Sequence, residues 1–117
     1  MAAHDDIARL RHMLDHAREA VELIGNRNRA SVIADRVLTL ALVRLLEIVG
    51  EAAARVSQPT RSQYAAIPWQ QIVGLRNRLI HGYDAVDMEV FWQILSSDLP
   101  PLITELEHVL DGADGKR

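Results

Sequence analysis

The sequence contains no cysteine and few aromatic residues, and both shortages restrict what the protein can be. Without cysteine there are no disulfides, thiolate zinc sites, iron–sulfur clusters or cysteine nucleophiles. Aromatic residues make up only 4% of the 117 positions, so the core must be built from leucine, isoleucine, valine and alanine. This composition favours helices packed on helices, and the length is that of a single domain.

Neither a secretory signal nor a membrane span is expected. Residues 1–6 carry two acids and no basic lead-in to an apolar segment, so they do not match a secretory signal. The most apolar run, residues 37–49, is interrupted by Arg44 and Glu47 and is shorter than the roughly 20 residues that span a bilayer. We therefore expect a cytoplasmic protein that does not enter a membrane.

The net charge of -3 conceals a local excess of positive charge. Between Ala52 and Tyr83 the sequence contains no Asp or Glu. A basic island on an acidic chain is typical of a local anion site, whereas the overall balance argues against a protein that binds nucleic acid by bulk electrostatics. The basic side chains of this stretch are Arg55, Arg61, Arg76, Arg78 and His81.

Apolar residues recur at intervals of three and four along most of the chain, which predicts an all-α, up-and-down bundle of about five helices. We assign residues 1–110 to a single domain and expect 111–117 to be a flexible tail. The middle of the second helix is apolar almost all round, so a second copy of the chain is expected to cover part of it, forming a homodimer. The predicted helices span 4–24, 31–57, 69–81, 87–95 and 98–110, with a loop over 58–68 and Gly82 just after the end of the third helix.

On a wheel of the third predicted helix, Arg76 falls inside the apolar face, and Asn77 and His81 share another face. An arginine among apolar residues is costly unless it is paired or faces a ligand. One interpretation is a buried cation paired with Glu47 or Glu51 of the second helix, beside a histidine that merely suits a helix end. The other is a site for a phosphodiester, because Arg can donate two hydrogen bonds to phosphate and His can transfer a proton near neutral pH.

The stretch from Ile67 to Tyr83, IPWQQIVGLRNRLIHGY, closely resembles the signature of HepT-like toxins in the HEPN ribonuclease superfamily. The core of that signature is Arg-x4-His-x-Tyr, which Arg76, His81 and Tyr83 match. Flanking segments resemble the same family, so the resemblance covers nearly the whole chain and favours the phosphodiester interpretation. These segments are Leu46–Ala53 upstream, and Val86–Trp92 and Asp98–Pro101 downstream.

The resemblance implies a helical bundle that dimerises so that the Arg and His of both copies line one cleft. It implies endoribonuclease activity that needs no metal and no cofactor, with tRNA as the substrate suggested by the family. It also implies a partner, a minimal nucleotidyltransferase antitoxin, which can adenylylate the tyrosine that corresponds to Tyr83.

The chemistry of RNA cleavage is compatible with these residues. RNA carries its own nucleophile, the 2′-OH, so cleavage requires proton transfer and stabilisation of the phosphorane. We expect His81 to be the general base or acid, Arg76 to hold the phosphate, and Asn77 to orient His81 or a phosphate oxygen. The expected product is a 2′,3′-cyclic phosphate. A nucleotide on Tyr83 would add bulk and negative charge where the substrate phosphate must lie.

Two other hypotheses remain open. The first is a non-catalytic HEPN module that uses the same anion site to bind a nucleotidyltransferase or a nucleotide. The second is a purely structural dimer in which Arg76 only pairs with Glu51, so that substitution of Glu51 would unfold the protein. From the residues alone, Tyr83 is interpreted as a hydrophobic contact that follows a helix end, and only the resemblance implies its modification.

Overall fold

The computed structural model of the protein describes residues 4–81 and 85–115. Over these residues the fold is all-α, as predicted, with a single pair of two-residue strands. None of the helices in this part of the chain is long and apolar enough to cross a membrane. The elements are α1 (His4–Ile24), α2 (Arg29–Ala34), α3 (Arg36–Ala54), α4 (Gln58–Gln63), α5 (Trp69–Val73), α6 (Leu75–Leu79), β1 (Ile80–His81), β2 (Ala85–Val86), α7 (Met88–Gln93), a π-helical segment (Ile94–Asp98) and α8 (Leu99–Gly115).

The centre of the fold is the contact between α1 and α3, and α8 also packs on α1. The bounds of α1 are those predicted from its apolar stripe. The core is almost entirely aliphatic, as the shortage of aromatic residues requires, although Phe91 is fully buried within it. Its main contributors are Leu10, Met13, Leu14, Ala17 and Ala20 from α1, Leu42, Leu46, Val49 and Ala53 from α3, and Leu102, Leu106 and Leu110 from α8.

Asp35 divides the second predicted helix, 31–57, into α2 and α3. Its backbone N–H donates to the carbonyl of Val32 at the end of α2, and its carboxylate accepts from the N–H of Leu38 at 3.0 Å to begin α3. The hydrogen bond from Leu38 and the ion pair with Arg27 at 2.9 Å hold the pKa of Asp35 below its ordinary value. A short acidic side chain that bonds to nearby backbone interrupts a helix in this way, so the prediction of one helix is wrong.

The predicted loop over 58–68 contains a short helix, α4, so this prediction is also wrong. Pro59 lies in the first turn of α4, where the N–H that it lacks would have had no helical partner. The guanidinium of Arg61 reaches back and donates to three carbonyls at the end of α3. These carbonyls are therefore satisfied although α3 ends at Ala54 and does not continue to Ser57.

The third predicted helix, 69–81, is interrupted at Gly74 and ends at Leu79. Ile80 has an extended backbone (φ -113°, ψ 119°), which suits its β-branched side chain. The N–H of Asp87 donates to the Leu79 carbonyl at 2.8 Å, so the chain returning from β2 satisfies the helix end. In the strand pair, Ile80 lies opposite Val86 and His81 opposite Ala85, while Gly82, the predicted helix stop, lies outside the described residues.

The fourth and fifth predicted helices, 87–95 and 98–110, form one continuous helical run. The N–H of Leu99 donates to the carbonyl of Ile94, five residues earlier, which makes the turn between α7 and α8 π-helical. The two prolines that follow have no N–H to donate to the carbonyls of that turn, which favours the change in bonding pattern. The run continues to Gly115, where a tail from Asp111 was expected. The domain boundary at 110 and the flexibility of 111–117 stay predictions.

A buried carboxylate connects the start of α1 to the junction of α3 and α4. Asp6 is 2% exposed and accepts hydrogen bonds from the N–H of Ser57 at 3.0 Å, the hydroxyl of Thr60 at 2.6 Å and the Ser57 hydroxyl. Burial acts to raise the pKa of Asp6, but these donors and the charge of Arg9 together outweigh it and hold the pKa below its ordinary value. The folded protein therefore favours the ionised form of the Asp6 carboxylate.

Gly50 allows α3 and α5 to approach each other closely. A Cβ added to Gly50 would lie 2.9 Å from the carbonyl oxygen of Ile72, and that oxygen belongs to backbone that cannot turn aside. The absence of a side chain at Gly50 therefore sets how near α5 and α6 lie to α3.

We predict that Asp6→Ala lowers the free energy of unfolding by about 2–4 kcal/mol, because buried donors on Ser57 and Thr60 lose their acceptor. Asp5→Ala, at the exposed neighbouring position, should change it by less than about 0.5 kcal/mol. Because the pKa of Asp6 is lowered in the fold, its stabilisation is present above the ordinary carboxyl pKa and is lost as the pH falls through the folded-state value. Urea unfolding between about pH 5 and pH 2 should therefore show a steeper loss for the parent than for Asp6→Ala, and equal slopes would contradict this.

We also predict that Gly50→Ala lowers the free energy of unfolding by about 1–3 kcal/mol, because the new methyl group forces α5 away from α3. Gly112→Ala is the matched control, since a Cβ there meets nothing within 4 Å. It should be neutral or stabilise α8 by up to about 1 kcal/mol. Thermal or urea unfolding of both variants measures the difference, and a Gly50→Ala protein as stable as the parent would show that the close approach is unnecessary.

Candidate active site

Arg76 lies at the exposed edge of α6 and not inside an apolar face as the helical wheel predicted. Its side chain is 67% exposed, and Val73, one turn earlier, is 37% exposed. The buried face of this segment is narrower than the wheel assumed and consists of Ile72, Leu75 and Leu79. The expectation of a buried arginine is wrong because an apolar residue on a wheel need not be covered, and Val73 is not.

Glu47 of α3 holds the guanidinium of Arg76. The Nε atom of Arg76 lies 3.3 Å from Oε2 of Glu47, whose side chain is 18% exposed. The alternative partner considered from the sequence, Glu51, pairs instead with Arg44 at 3.2 Å, and Arg44 also lies 4.0 Å from Glu47. Two arginines and two glutamates thus form one network across α3 and α6.

Arg76 borders a groove of about 230 Å³ between α3 and the α5–α6 segment. Within the described part of the chain, the guanidinium is bonded only through Nε, which leaves its two terminal amino groups for a ligand. Two parallel N–H groups on a fixed arginine match two oxygens of a phosphate. The groove is lined by Glu47, Gly50, Glu51, Ala54, Val73, Arg76 and Asn77.

His81 lies outside the residues that line this groove, on β1 directly after α6. Its side chain is 63% exposed, so the imidazole is accessible to a substrate. Asn77 lines the groove beside Arg76. Because the helix ends at Leu79, His81 does not share a helical face with Asn77, and no hydrogen bond joins the two side chains in the ranges that the structure describes.

Asp87 is a residue of this site that sequence reasoning assigned only to the start of a helix. It is the N-cap of α7, and its Oδ1 accepts from the N–H groups of Glu89 and Val90, both at 3.1 Å. Its Oδ2 lies 3.6 Å from Nε2 of His81. The return of the chain through β1 and β2 brings the two residues together, and strands of two residues leave no alternating pattern in a sequence.

Tyr83 lies outside the described residues, so its position after a helix end and its role as an adenylylation site stay predictions.

Among residues 4–81 and 85–115, no three His, Asp or Glu side chains come together in a way that could hold a metal ion.

The family model described as Ribonuclease HepT-like matches residues 13–109 of the chain. The match extends from α1 into α8 and includes Glu47, Arg76, His81 and Asp87. It therefore covers both the groove and the strand pair that follows it.

Individual proteins resemble the chain over most of their length. A protein of Methanocaldococcus jannaschii named "Putative RNase MJ1380" is 33% identical over 109 residues, which cover 93% of this chain and 100% of that protein. A protein of Thermococcus cleftensis named "Probable ribonuclease HepT" is 33% identical over 98 residues, which cover 80% of this chain and 89% of that protein. No solved structure matches the chain. On the family match and these relatives, the chain belongs to the HepT-like ribonuclease family.

Proposed function

We propose that the protein is a metal-independent endoribonuclease that acts as a homodimer and as the toxin of a toxin–antitoxin pair in the cytoplasm. The observation that carries the proposal is the ion pair between Arg76 and Glu47 at the edge of the groove. Its guanidinium is held by Glu47 through one nitrogen, and no described residue bonds to its two terminal amino groups at the edge of the groove. An exposed histidine follows five residues later at His81. Family membership supports the choice of RNA as the substrate.

In this mechanism His81 removes the proton from a ribose 2′-OH, and the oxygen attacks the adjacent phosphorus. The 5′-oxygen leaves with a proton, so the products are a 2′,3′-cyclic phosphate and a 5′-hydroxyl. The terminal amino groups of Arg76 stabilise the negative charge that develops on the phosphorane. Asn77, on the groove wall beside Arg76, can donate its amide to a phosphate oxygen.

A homodimer supplies what one chain lacks in this scheme, since each chain contributes one motif histidine and the reaction needs a base and an acid. The outer face of α3 supports such a dimer. Val37 is 79% exposed and Leu40 is 53% exposed, on the same stripe that continues into Arg44, Glu47 and Glu51. Exposed aliphatic residues beside a polar network are typical of an interface between subunits.

The proposed antitoxin is a minimal nucleotidyltransferase that adenylylates Tyr83. The chemistry supports an inhibitory effect, because an attached nucleotide carries a phosphate into the region where the substrate phosphate must bind. Transfer RNA is the substrate class to test first.

We predict that Arg76→Ala and His81→Ala each lower the rate of RNA cleavage by about a hundredfold or more, because they remove charge stabilisation and proton transfer respectively. Both side chains are exposed, so the variants should retain the fold. The measurement is cleavage of a purified tRNA pool with and without chelator, with detection of the cyclic phosphate ends.

Arg18→Ala is the matched control, because Arg18 pairs with Glu107 between α1 and α8 and does not line the groove. It should cleave RNA at the parent rate. If His81→Ala cuts as fast as the parent, the mechanism is wrong. If the parent binds RNA or a nucleotide without cutting it, the protein is a binding module of the same fold.

We predict further that Leu40→Glu converts the dimer to a monomer and removes most of the cleavage activity, because it places a charge in the proposed interface. Leu23→Glu is the control, since Leu23 is 41% exposed on α1 and not on the α3 stripe. Light scattering after gel filtration gives the mass of each species. A parent protein that is monomeric, or a Leu40→Glu protein that remains dimeric, would contradict the proposed interface.

A further inference from the structure

The imidazole of His81 faces a carboxylate that is itself fixed in position. Asp87 uses Oδ1 to accept two backbone hydrogen bonds at the start of α7, from Glu89 and Val90. Its second oxygen, Oδ2, lies 3.6 Å from Nε2 of His81. A carboxylate that is held by a helix N-terminus keeps its direction, so it can set the direction of a side chain that binds to it.

The backbone reinforces this arrangement. His81 is paired with Ala85 in the antiparallel ladder, and the N–H of Asp87 donates to the carbonyl of Leu79 at 2.8 Å. The backbone atoms on both sides of the pair are therefore tied to one another. An exposed imidazole would otherwise rotate freely, since the His81 side chain is 63% exposed.

A carboxylate beside a histidine also decides which ring nitrogen carries the proton. An acceptor at Oδ2 favours the tautomer with hydrogen on Nε2, which leaves Nδ1 with a free lone pair. In catalytic histidines oriented by an acid, replacement of that acid by its amide produces the wrong tautomer and a large loss of rate. The Asp87 side chain is 35% exposed, so its effect should grow when bound RNA excludes water.

We infer that Asp87 is a positioning residue: its Oδ2, now 3.6 Å from Nε2 of His81, closes to a hydrogen bond when RNA binds and so presents Nδ1 as the atom that exchanges the proton with RNA. This inference rests on the proposed ribonuclease function, in which His81 is the proton-transfer group. Asp87 itself does not touch the reacting atoms.

The test is Asp87→Asn, because asparagine caps a helix as well as aspartate does but presents an amide N–H₂ or a neutral oxygen to His81. The expected result is a kcat about 10- to 100-fold lower, with KM and the melting temperature close to those of the parent. Asp35→Asn is the matched control, since Asp35 is the N-cap of α3, also pairs with a basic side chain, and lies outside the proposed site. It should retain the parent kcat.

A second measurement needs no substrate. Long-range ¹H–¹⁵N spectra of the imidazole at about pH 8.5, where a histidine is neutral, should show the Nε2–H tautomer of His81 in the parent and a shift toward Nδ1–H in Asp87→Asn. The opposite tautomer in the parent, or spectra that the substitution does not change, would overturn the inference.

The two proposals fail separately. If His81→Ala loses cleavage while Asp87→Asn keeps the parent kcat, the ribonuclease mechanism stands and the role of Asp87 is wrong. If His81→Ala cuts as fast as the parent, the proposed mechanism is wrong, and so is the role of Asp87. Should Asp87→Asn fail to fold, Asp87→Ser, which also provides a capping oxygen, takes its place in both measurements.

Discussion

The site depends on how closely α5 can lie against α3. Gly50 lies opposite the backbone of Ile72, and a single methyl group would separate the two helices. This contact brings α6 to the side of α3 where Glu47 can reach Arg76. The position of the charged site thus follows from packing between two helices, and residues of both line the groove.

The charges around that groove hold Arg76 through only one of its three guanidinium nitrogens. Glu47 is mostly covered and accepts from one nitrogen of Arg76, while Glu51 is occupied by Arg44. An exposed ion pair of this kind adds little to stability, because water competes with both partners. The contact instead restricts the orientation of the guanidinium, because Nε is held by Glu47 while the side chain stays exposed at the groove.

Sequence periodicity predicted the fold class and α1 well, because a regular apolar stripe on a long helix reflects burial directly. It failed where single polar residues decide the backbone. Asp35 ended one helix and began another, and Gly74 interrupted the third predicted helix. The resemblance to HepT-like toxins identified the family correctly from motif residues, whereas the wheel misjudged the exposure of Arg76, since neighbouring apolar residues can remain uncovered.

Asp87 shows why part of the candidate site could not be predicted. The sequence indicates a helix cap there, and the cap is present. The contact with His81 depends on the antiparallel pairing of β1 and β2. No local sequence pattern predicts that pairing. Contacts made by short irregular segments depend on the whole fold, so the sequence alone does not predict them.

The π-helical segment between α7 and α8 has a consequence for the register of the whole C-terminal helix. A π-helical turn accommodates one more residue than an α-helical turn, so the apolar stripe of α8 is rotated by about 100° from where an unbroken α-helix would carry it. Leu102, Leu106 and Leu110 face the core in the register that follows this turn.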